Sequence, residues 1–87
     1  DIGYWRDKQG HEIDFVINKR GQPLLAIECK WRDQEFDPAN AKVFLRHYDK
    51  AQVYVVSHNV SQPYSRRYGG FTFKFINLSG LENICKL

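Results

Sequence analysis

The sequence has few of the features that mark secreted, membrane-bound or zinc-binding proteins. Its two cysteines, Cys29 and Cys85, lack CxxC spacing, so we expect a reduced pair rather than a disulfide or a metal site. No apolar run approaches the roughly 18 residues of a membrane-spanning helix, and the first residues lack the apolar stretch of a signal peptide. These absences favour a soluble, cytoplasmic protein.

Further absences narrow the function. The chain has no glycine-rich phosphate loop, so we do not expect it to hydrolyse ATP by itself. His11, His47 and His58 have no zinc-site spacing with either cysteine. No repeat or low-complexity segment occurs in the 87 residues, which suffice for one hydrophobic core but hardly for two. We therefore predict a single domain over residues 1–87, and because it begins at Asp1 rather than Met we interpret it as a piece of a larger protein.

The charge of the chain is mildly positive. Thirteen Lys and Arg residues against 10 Asp and Glu residues give a net charge of +3, with both signs interleaved along the sequence. This balance favours a nucleic-acid partner such as DNA only weakly. The basic residues that could follow a phosphate backbone are Arg6, Lys8, Lys19, Arg20, Arg32, Arg66 and Arg67. A solvated loop surface accounts for them equally well.

Periodicity predicts an α/β domain with a mixed central sheet. Residues 52–57 contain an unbroken run of Val and Tyr between Gln52 and Ser57, as in a strand that is covered on both faces, and they follow a helical crossover. Residues 57–70 are polar and rich in turn formers, which predicts an irregular connection. The predicted elements are strands at residues 4–6, 11–18, 24–31, 52–57 and 71–76, a helix from Asp37-Pro38 to about Tyr48, and a short terminal helix that opens with a capping box at residues 79–82.

The same periodicity assigns apolar side chains to the core. A period of two in the second strand places Ile13, Phe15 and Ile17 together on the core face. Trp5 and Trp31 could stack on nucleic-acid bases, but an aromatic residue in a small β-rich domain more often packs internally. We therefore expect both tryptophans to be packing residues.

Three carboxylates and one ammonium group are predicted to meet on the opposite face of the second and third strands. If these strands form an antiparallel hairpin with an odd-length loop, Asp14 lies opposite Glu28 and Glu12 lies opposite Lys30. Such a patch suits Mg²⁺ or Mn²⁺, which prefer oxygen ligands, and the lysine could orient an attacking water. Cross-strand Glu–Lys pairs are also ordinary sheet stabilisers, so this pattern alone does not establish a site.

The order of these residues resembles a known signature. Asp14, followed about a dozen residues later by Glu28-Cys29-Lys30, resembles the Asp…Glu-x-Lys motif of the PD-(D/E)XK nuclease superfamily. Tyr4-Trp5-Arg6 and the sequence around Glu12 and Asp14 resemble more closely the C-terminal nuclease-like domain of a broad family of bacterial and archaeal AAA-type ATPases, many of unknown function. The specific motifs lie within residues 4–31, whereas the order of elements matches over most of the chain.

The resemblance implies a fold and a set of site residues. The implied fold is a restriction-endonuclease-like core of β-β-β-α-β order, extended by a C-terminal strand and a short helix. Asp14 and Glu28 would be the metal ligands, Lys30 the catalytic lysine, and Glu12 an additional ligand or a supporting neighbour. Relatives have a helix before the first strand that often contributes another acidic residue. This chain begins too late to contain that helix, so the site is either incomplete or completed by another segment or chain.

Two classes of function are compatible with these residues. The first is a metal-dependent nuclease domain that acts on DNA phosphodiester bonds. The second is a non-catalytic module that binds a protein or nucleic acid for its parent ATPase, or that forms homo-oligomers. Nuclease-like domains fused to ATPases can lose catalysis and keep a binding role, because a fold does not fix a function.

Overall fold

A computed structural model describes residues 2–85 as a six-stranded mixed sheet with one helix on each face. Neither helix has the length and apolarity needed to cross a bilayer. The strand order is β1-β2-β3-β4-β6-β5. The elements are β1 (Ile2–Arg6), β2 (Glu12–Ile17), β3 (Leu25–Cys29), a 3₁₀ helix (Asp33–Glu35), α1 (Ala39–His47), β4 (Gln52–Val56), β5 (Tyr64–Tyr68), β6 (Phe71–Ile76) and α2 (Leu78–Ile84).

The first three strands form an antiparallel meander, and a helical crossover then adds a parallel strand. The β2–β3 ladder pairs Phe15 with Ile27 and Ile17 with Leu25, which is the register the sequence predicted. Helix α1 carries the chain across the sheet, so that β4 pairs parallel with β3 and β6 pairs parallel with β4. The predicted mixed sheet and crossover are therefore confirmed.

Alternation along the central strands divides the core between the two faces. Val53 and Val55 pack on the α1 side with Phe44 of the helix, whose Ala41 and Leu45 are buried as well. Tyr54 and Val56 point to the other face, where Leu81 of α2 packs against their cluster. Strand β4 is thus covered on both sides, as its continuous apolarity predicted.

The assignment of Ile13, Phe15 and Ile17 to one face was wrong. Ile13 packs in the α1-side cluster, Ile17 packs in the α2-side cluster, and Phe15 is 47% exposed. The cause is a β-bulge, because Gly3 pairs with Val16 while Trp5 pairs with Ile13, which leaves one extra residue in β2. An extra residue breaks the period of two on which the prediction rested.

The irregular connection predicted for residues 57–70 is in part a strand. Strand β5 pairs antiparallel with β6 through a two-residue turn in which Gly69 and Gly70 both have positive φ, at 56° and 86°. That conformation suits glycine and matches the twist of a hairpin. Tyr64 stacks on Phe75 with ring centroids 4.6 Å apart, so alternate side chains of this edge strand reach the core. The chain therefore has two strands after β4 where one was predicted.

The terminal helix was predicted, but its start was misplaced. Helix α2 begins at Leu78, and its N-cap is Asn77, whose Oδ1 accepts the Gly80 N–H at 3.0 Å. The capping box expected at Ser79 is therefore replaced by an asparagine cap two residues earlier.

Candidate active site

The candidate site lies where the parallel strands end. The carboxyl ends of β3, β4 and β6 meet at one edge of the sheet, and the amino end of the antiparallel β2 meets them there. Lys30, directly after β3, continues the pairing through an N–H bond to the Val56 carbonyl at 3.0 Å. In open α/β sheets, ligands bind preferentially outside the carboxyl ends of the strands.

Asp14 and Glu28 hold each other in place through the backbone. The Asp14 N–H donates to Glu28 Oε1 at 2.8 Å, and the Cys29 N–H donates to Asp14 Oδ2 at 3.0 Å. These bonds begin where the β2–β3 ladder stops, beside the bulge, so the two carboxylates take the place of ladder carbonyls. Each bond uses one carboxylate oxygen and leaves Asp14 Oδ1 and Glu28 Oε2 for other partners. We call this pair of bonds the Asp14–Glu28 clamp.

Burial and neighbouring charges both act on the Glu28 carboxyl. Glu28 is only 6% exposed, and burial raises the pKa of its carboxyl above the ordinary value of 4.5. The Asp14 N–H bond opposes that rise in the pKa, while the Asp14 charge adds to it. The Lys30 ammonium lowers the pKa of Glu28, and the Glu12 charge raises it. The other three residues of the predicted cluster therefore all act on the buried Glu28.

Glu12 has a different partner from the predicted one. It pairs across from Arg6 on β1, and the two side chains form an ion pair, whereas the predicted pairing of Glu12 with Lys30 is not part of the β2–β3 ladder. The β2–β3 ladder ends at Phe15, before it reaches Glu12. Glu12 is consequently a neighbour of the Asp14–Glu28 clamp whose charge is partly balanced by Arg6.

The predicted basic residues do not form one patch. The basic residues at the clamp end of the strands and those at the other end are about 20 Å apart. This distance is the length of β2, whose six residues rise roughly 3.3 Å each. Strand β5 lies four strand spacings from β2, or roughly 19 Å. The clamp edge has Arg6, Lys8 and Arg32, the opposite edge has Lys19 and Arg20, and β5 carries Arg66 and Arg67.

The donor set of the clamp fits a hard divalent cation. Over residues 2–85, no group of three or more His, Cys, Asp or Glu side chains is arranged to hold a metal ion. Two carboxylates are nevertheless sufficient for Mg²⁺ or Mn²⁺, because such ions are often held by one or two carboxylates and complete their coordination with waters and substrate phosphates. Asp14 and Glu28 are the residues that could hold such an ion.

Sequence reasoning missed an aromatic pair at the same edge. The Trp31 indole is 69% exposed and stacks on the His58 imidazole at a centroid distance of 4.0 Å. Trp5, in contrast, is half-buried and meets Phe44 edge-on at 5.4 Å, so the packing prediction holds for Trp5 and fails for Trp31. The available signal was the flanking Lys30 and Arg32, which place this tryptophan beyond the apolar part of its strand.

Comparison with known proteins identifies a family but no characterised relative. A family model described as "Domain of unknown function (DUF4143)" matches residues 1–79. No curated protein matches the chain, and no solved structure matches it.

Proposed function

This chain belongs to the DUF4143 family, a domain of unknown function, and from that premise we propose that it is a metal-dependent nuclease-type domain that hydrolyses DNA phosphodiester bonds. The observation that carries the proposal is the Asp14–Glu28 clamp, with Lys30 beside it at the carboxyl edge of the sheet. We further propose that the fold is a restriction-endonuclease-like core and that the domain serves a parent ATPase.

The proposal gives each residue of the cluster a role. Asp14 and Glu28 would hold Mg²⁺ or Mn²⁺, because each has one oxygen fixed by a backbone N–H and the other outside the clamp. A cation bound there supplies charge stabilisation for the phosphodiester and lowers the pKa of water. Lys30 orients the attacking water through its ammonium group. Glu12, ion-paired with Arg6, adds negative charge near the cation.

The basic residues of the same edge would position the strand to be cut. Lys8 is exposed in the β1–β2 turn, and Arg32 is exposed just after Lys30. Phosphate contacts of this kind fix the register of a nucleic acid without reading its sequence. We therefore expect cleavage to depend on the metal ion and on ionic strength more than on the DNA sequence.

Metal binding and cleavage test the proposal together. Calorimetric titration with Mn²⁺ should give binding that disappears in the Asp14→Asn/Glu28→Gln variant. Cleavage of single-stranded, duplex and branched DNA should fall about a hundredfold or more in Asp14→Asn, Glu28→Gln or Lys30→Met. Asp49→Asn and Lys50→Met are matched controls, because both residues are exposed and lie outside the site. Cleavage that persists in all three site variants would contradict the proposal.

A second candidate function is a non-catalytic binding module. It is favoured by the fact that both carboxylates already bond backbone N–H groups, which is a structural use of the same residues. The module would bind DNA or a partner protein for a parent ATPase, or would form homo-oligomers. Calorimetry decides between the two candidates, since the absence of Mn²⁺ binding in the native chain would leave the module as the better account.

A further inference from the structure

An exposed tryptophan next to the proposed catalytic residues has no structural role that explains its position. The Trp31 indole lies nearly parallel to the His58 imidazole, with an interplanar angle of 21°, yet most of its surface faces solvent. His58 Nδ1 donates to the Trp31 carbonyl, which holds the imidazole against the indole. The pair is therefore fixed in place without being buried, as in a preformed stacking surface.

A small cavity adjoins this stack. Its volume is about 260 Å³, and its lining is mostly apolar, with Trp31, His58, Val56 and Leu78 among the contributing residues. The volume lies just below the usual range of ligand pockets, which begins at about 300 Å³. The cavity therefore suits a single planar ring system better than a larger ligand.

A buried hydroxyl at the cavity lacks a partner. Ser57 lines the cavity, is 2% exposed, and its Oγ has no hydrogen-bond partner among the described residues. Buried polar groups in folded proteins nearly always have a protein or ordered-water partner, so this hydroxyl has an unused capacity for a hydrogen bond at the cavity. Its Oγ has almost no accessible surface, so the hydroxyl would meet the polar edge of a bound ring only by rotating toward the cavity.

Charged residues near the cavity indicate what charge its ligand would carry. Lys30 lines the cavity, and Arg32 is the next residue after Trp31, so the stack is flanked by two cations. Glu28, on the other side of Cys29, belongs to the proposed catalytic cluster. A nucleotide combines the features that would fit here, namely a planar ring, a polar ring edge and an adjacent negative charge.

We infer that Trp31, His58 and Ser57 form a subsite for one unpaired base of the nucleic-acid substrate. This inference rests on the proposed function and narrows its substrate to single-stranded, frayed or branched nucleic acid, because a paired base cannot expose both its face and its edge to the cavity. The phosphate next to the bound base lies toward Lys30. Stacking on aromatic side chains tolerates any base, so the subsite selects for unpaired structure and not for sequence.

The test measures binding in the absence of cleavage. A fluorescein-labelled oligodeoxythymidine and an abasic oligomer of the same length are titrated by fluorescence anisotropy, in chelator and at low salt. Both the native chain and the Asp14→Asn/Glu28→Gln variant are used, which makes the result independent of metal binding. Native protein should bind the base-containing oligomer about tenfold or more tightly than the abasic one. In Trp31→Ala that preference should disappear, whereas Trp31→Phe should keep part of it.

The control variant is Tyr4→Ala, because Tyr4 is an equally exposed aromatic residue, at 74%, outside the cavity. Its oligomer affinities should equal those of the native chain. Equal affinity of the native chain for both oligomers, binding to neither, or an unchanged preference in Trp31→Ala would overturn the subsite. Binding of a tryptophan-containing peptide in place of the oligomer would also overturn it and assign the cavity to a protein partner. Loss of Mn²⁺ binding or cleavage alone would instead overturn the proposed catalysis and leave the subsite standing.

Discussion

Two groups of residues in this chain are built around carboxylates whose oxygens accept hydrogen bonds to different extents, and we call them the two clusters. In the first, Asp33 Oδ2 accepts the Tyr64 hydroxyl at 2.5 Å and its Oδ1 accepts the Asn59 side-chain amide at 2.9 Å. In the second, the Asp14–Glu28 clamp, each carboxylate uses one oxygen for a backbone N–H. In the first cluster, which we call the closed network, both carboxylate oxygens of Asp33 accept hydrogen bonds. In the second, one oxygen of Asp14 and one of Glu28 take no part in the clamp bonds.

The pKa values of the two clusters move in opposite directions. The hydrogen bonds from Tyr64 and then Asn59 lower the pKa of Asp33, since they stabilise its charged form. Burial raises the pKa of Glu28, and the charges of Asp14 and Glu12 raise it further. The folded chain therefore favours the charge on Asp33 and opposes the charge on Glu28.

This difference is the one expected between a structural use of carboxylates and the functional use proposed above. Asp33 joins the 3₁₀ helix to β5 and to the turn after β4, so its bonds tie distant segments together. The arrangement around Glu28 joins only the adjacent strands β2 and β3, and it gathers like charges that a bound cation would relieve. Carboxylates whose pKa is shifted by burial together with neighbouring charges are candidates for functional sites.

The largest expected effect is the response of stability to a divalent cation. A ligand that binds only the folded state, at a hundredfold excess over its Kd, adds about 2.7 kcal/mol to the free energy of unfolding. Saturating Mn²⁺ should therefore raise the Tm of the native chain by roughly 10 to 20 °C. The measurement is thermal unfolding followed by circular dichroism. Asp14→Asn/Glu28→Gln should abolish the shift.

Asp33→Asn is the matched control for that measurement, because it changes the charge of the other carboxylate cluster. Its Tm should start lower but rise with Mn²⁺ as much as that of the native chain. A native Tm that does not respond to Mn²⁺, or a shift that depends on Asp33, would remove the distinction between the two clusters.

An intermediate effect is expected from opening the closed network. Tyr64→Phe removes the hydroxyl that donates to Asp33 and keeps the ring that stacks on Phe75. The free energy of unfolding should fall by about 1 kcal/mol, the usual net contribution of one hydrogen bond. Urea unfolding measures this change, and Tyr4→Phe, an exposed tyrosine on β1, should leave stability unchanged. Impaired Mn²⁺ binding in Tyr64→Phe would argue that the clusters are coupled.

Local patterns were sufficient to predict much of the sheet and the placement of the clamp. The helix that follows Asp37-Pro38 and the apolar strand β4 are predicted from short segments, and both elements were confirmed. The register that places Asp14 beside Glu28 follows from the turn between two well-marked strands, and the ladder has that register. These features depend on neighbours in sequence, which is why the sequence alone predicts them.

Features that depend on distant packing were not predicted. Strand β5 has the sequence Tyr-Ser-Arg-Arg-Tyr, whose polar residues suit an edge strand but also suit a loop. Its two tyrosines pack on phenylalanines of β6, and the following Gly69-Gly70 pair was an available hairpin signal that was interpreted as a break. The bulge beside Asp14 has no sequence signature, because it arises from how β1 pairs with β2.

The smallest effect is the pH dependence of stability, where the two clusters should give opposite signs. With chelator present, the folded chain binds more protons than the unfolded chain between pH 4.5, the ordinary pKa of Glu28, and its raised folded value. Stability should therefore fall as the pH rises through that window and should then level off. Glu28→Gln should remove this decline and become more stable relative to the native chain as the pH rises.

Asp33 should behave in the opposite way, because its folded pKa lies below the ordinary value of 3.8. Its stabilising contribution is present above that pH and is lost as the pH falls through the folded value, so Asp33→Asn should approach the stability of the native chain only in acid. Urea unfolding across pH 3 to 7 measures both profiles. The charges of Asp14, Glu12 and Lys30 all act on Glu28, so neutralising Asp14 should weaken the decline without abolishing it. If Glu28→Gln and Asp33→Asn deviate from the native profile in the same direction, folding does not favour the charge on Asp33 while opposing the charge on Glu28.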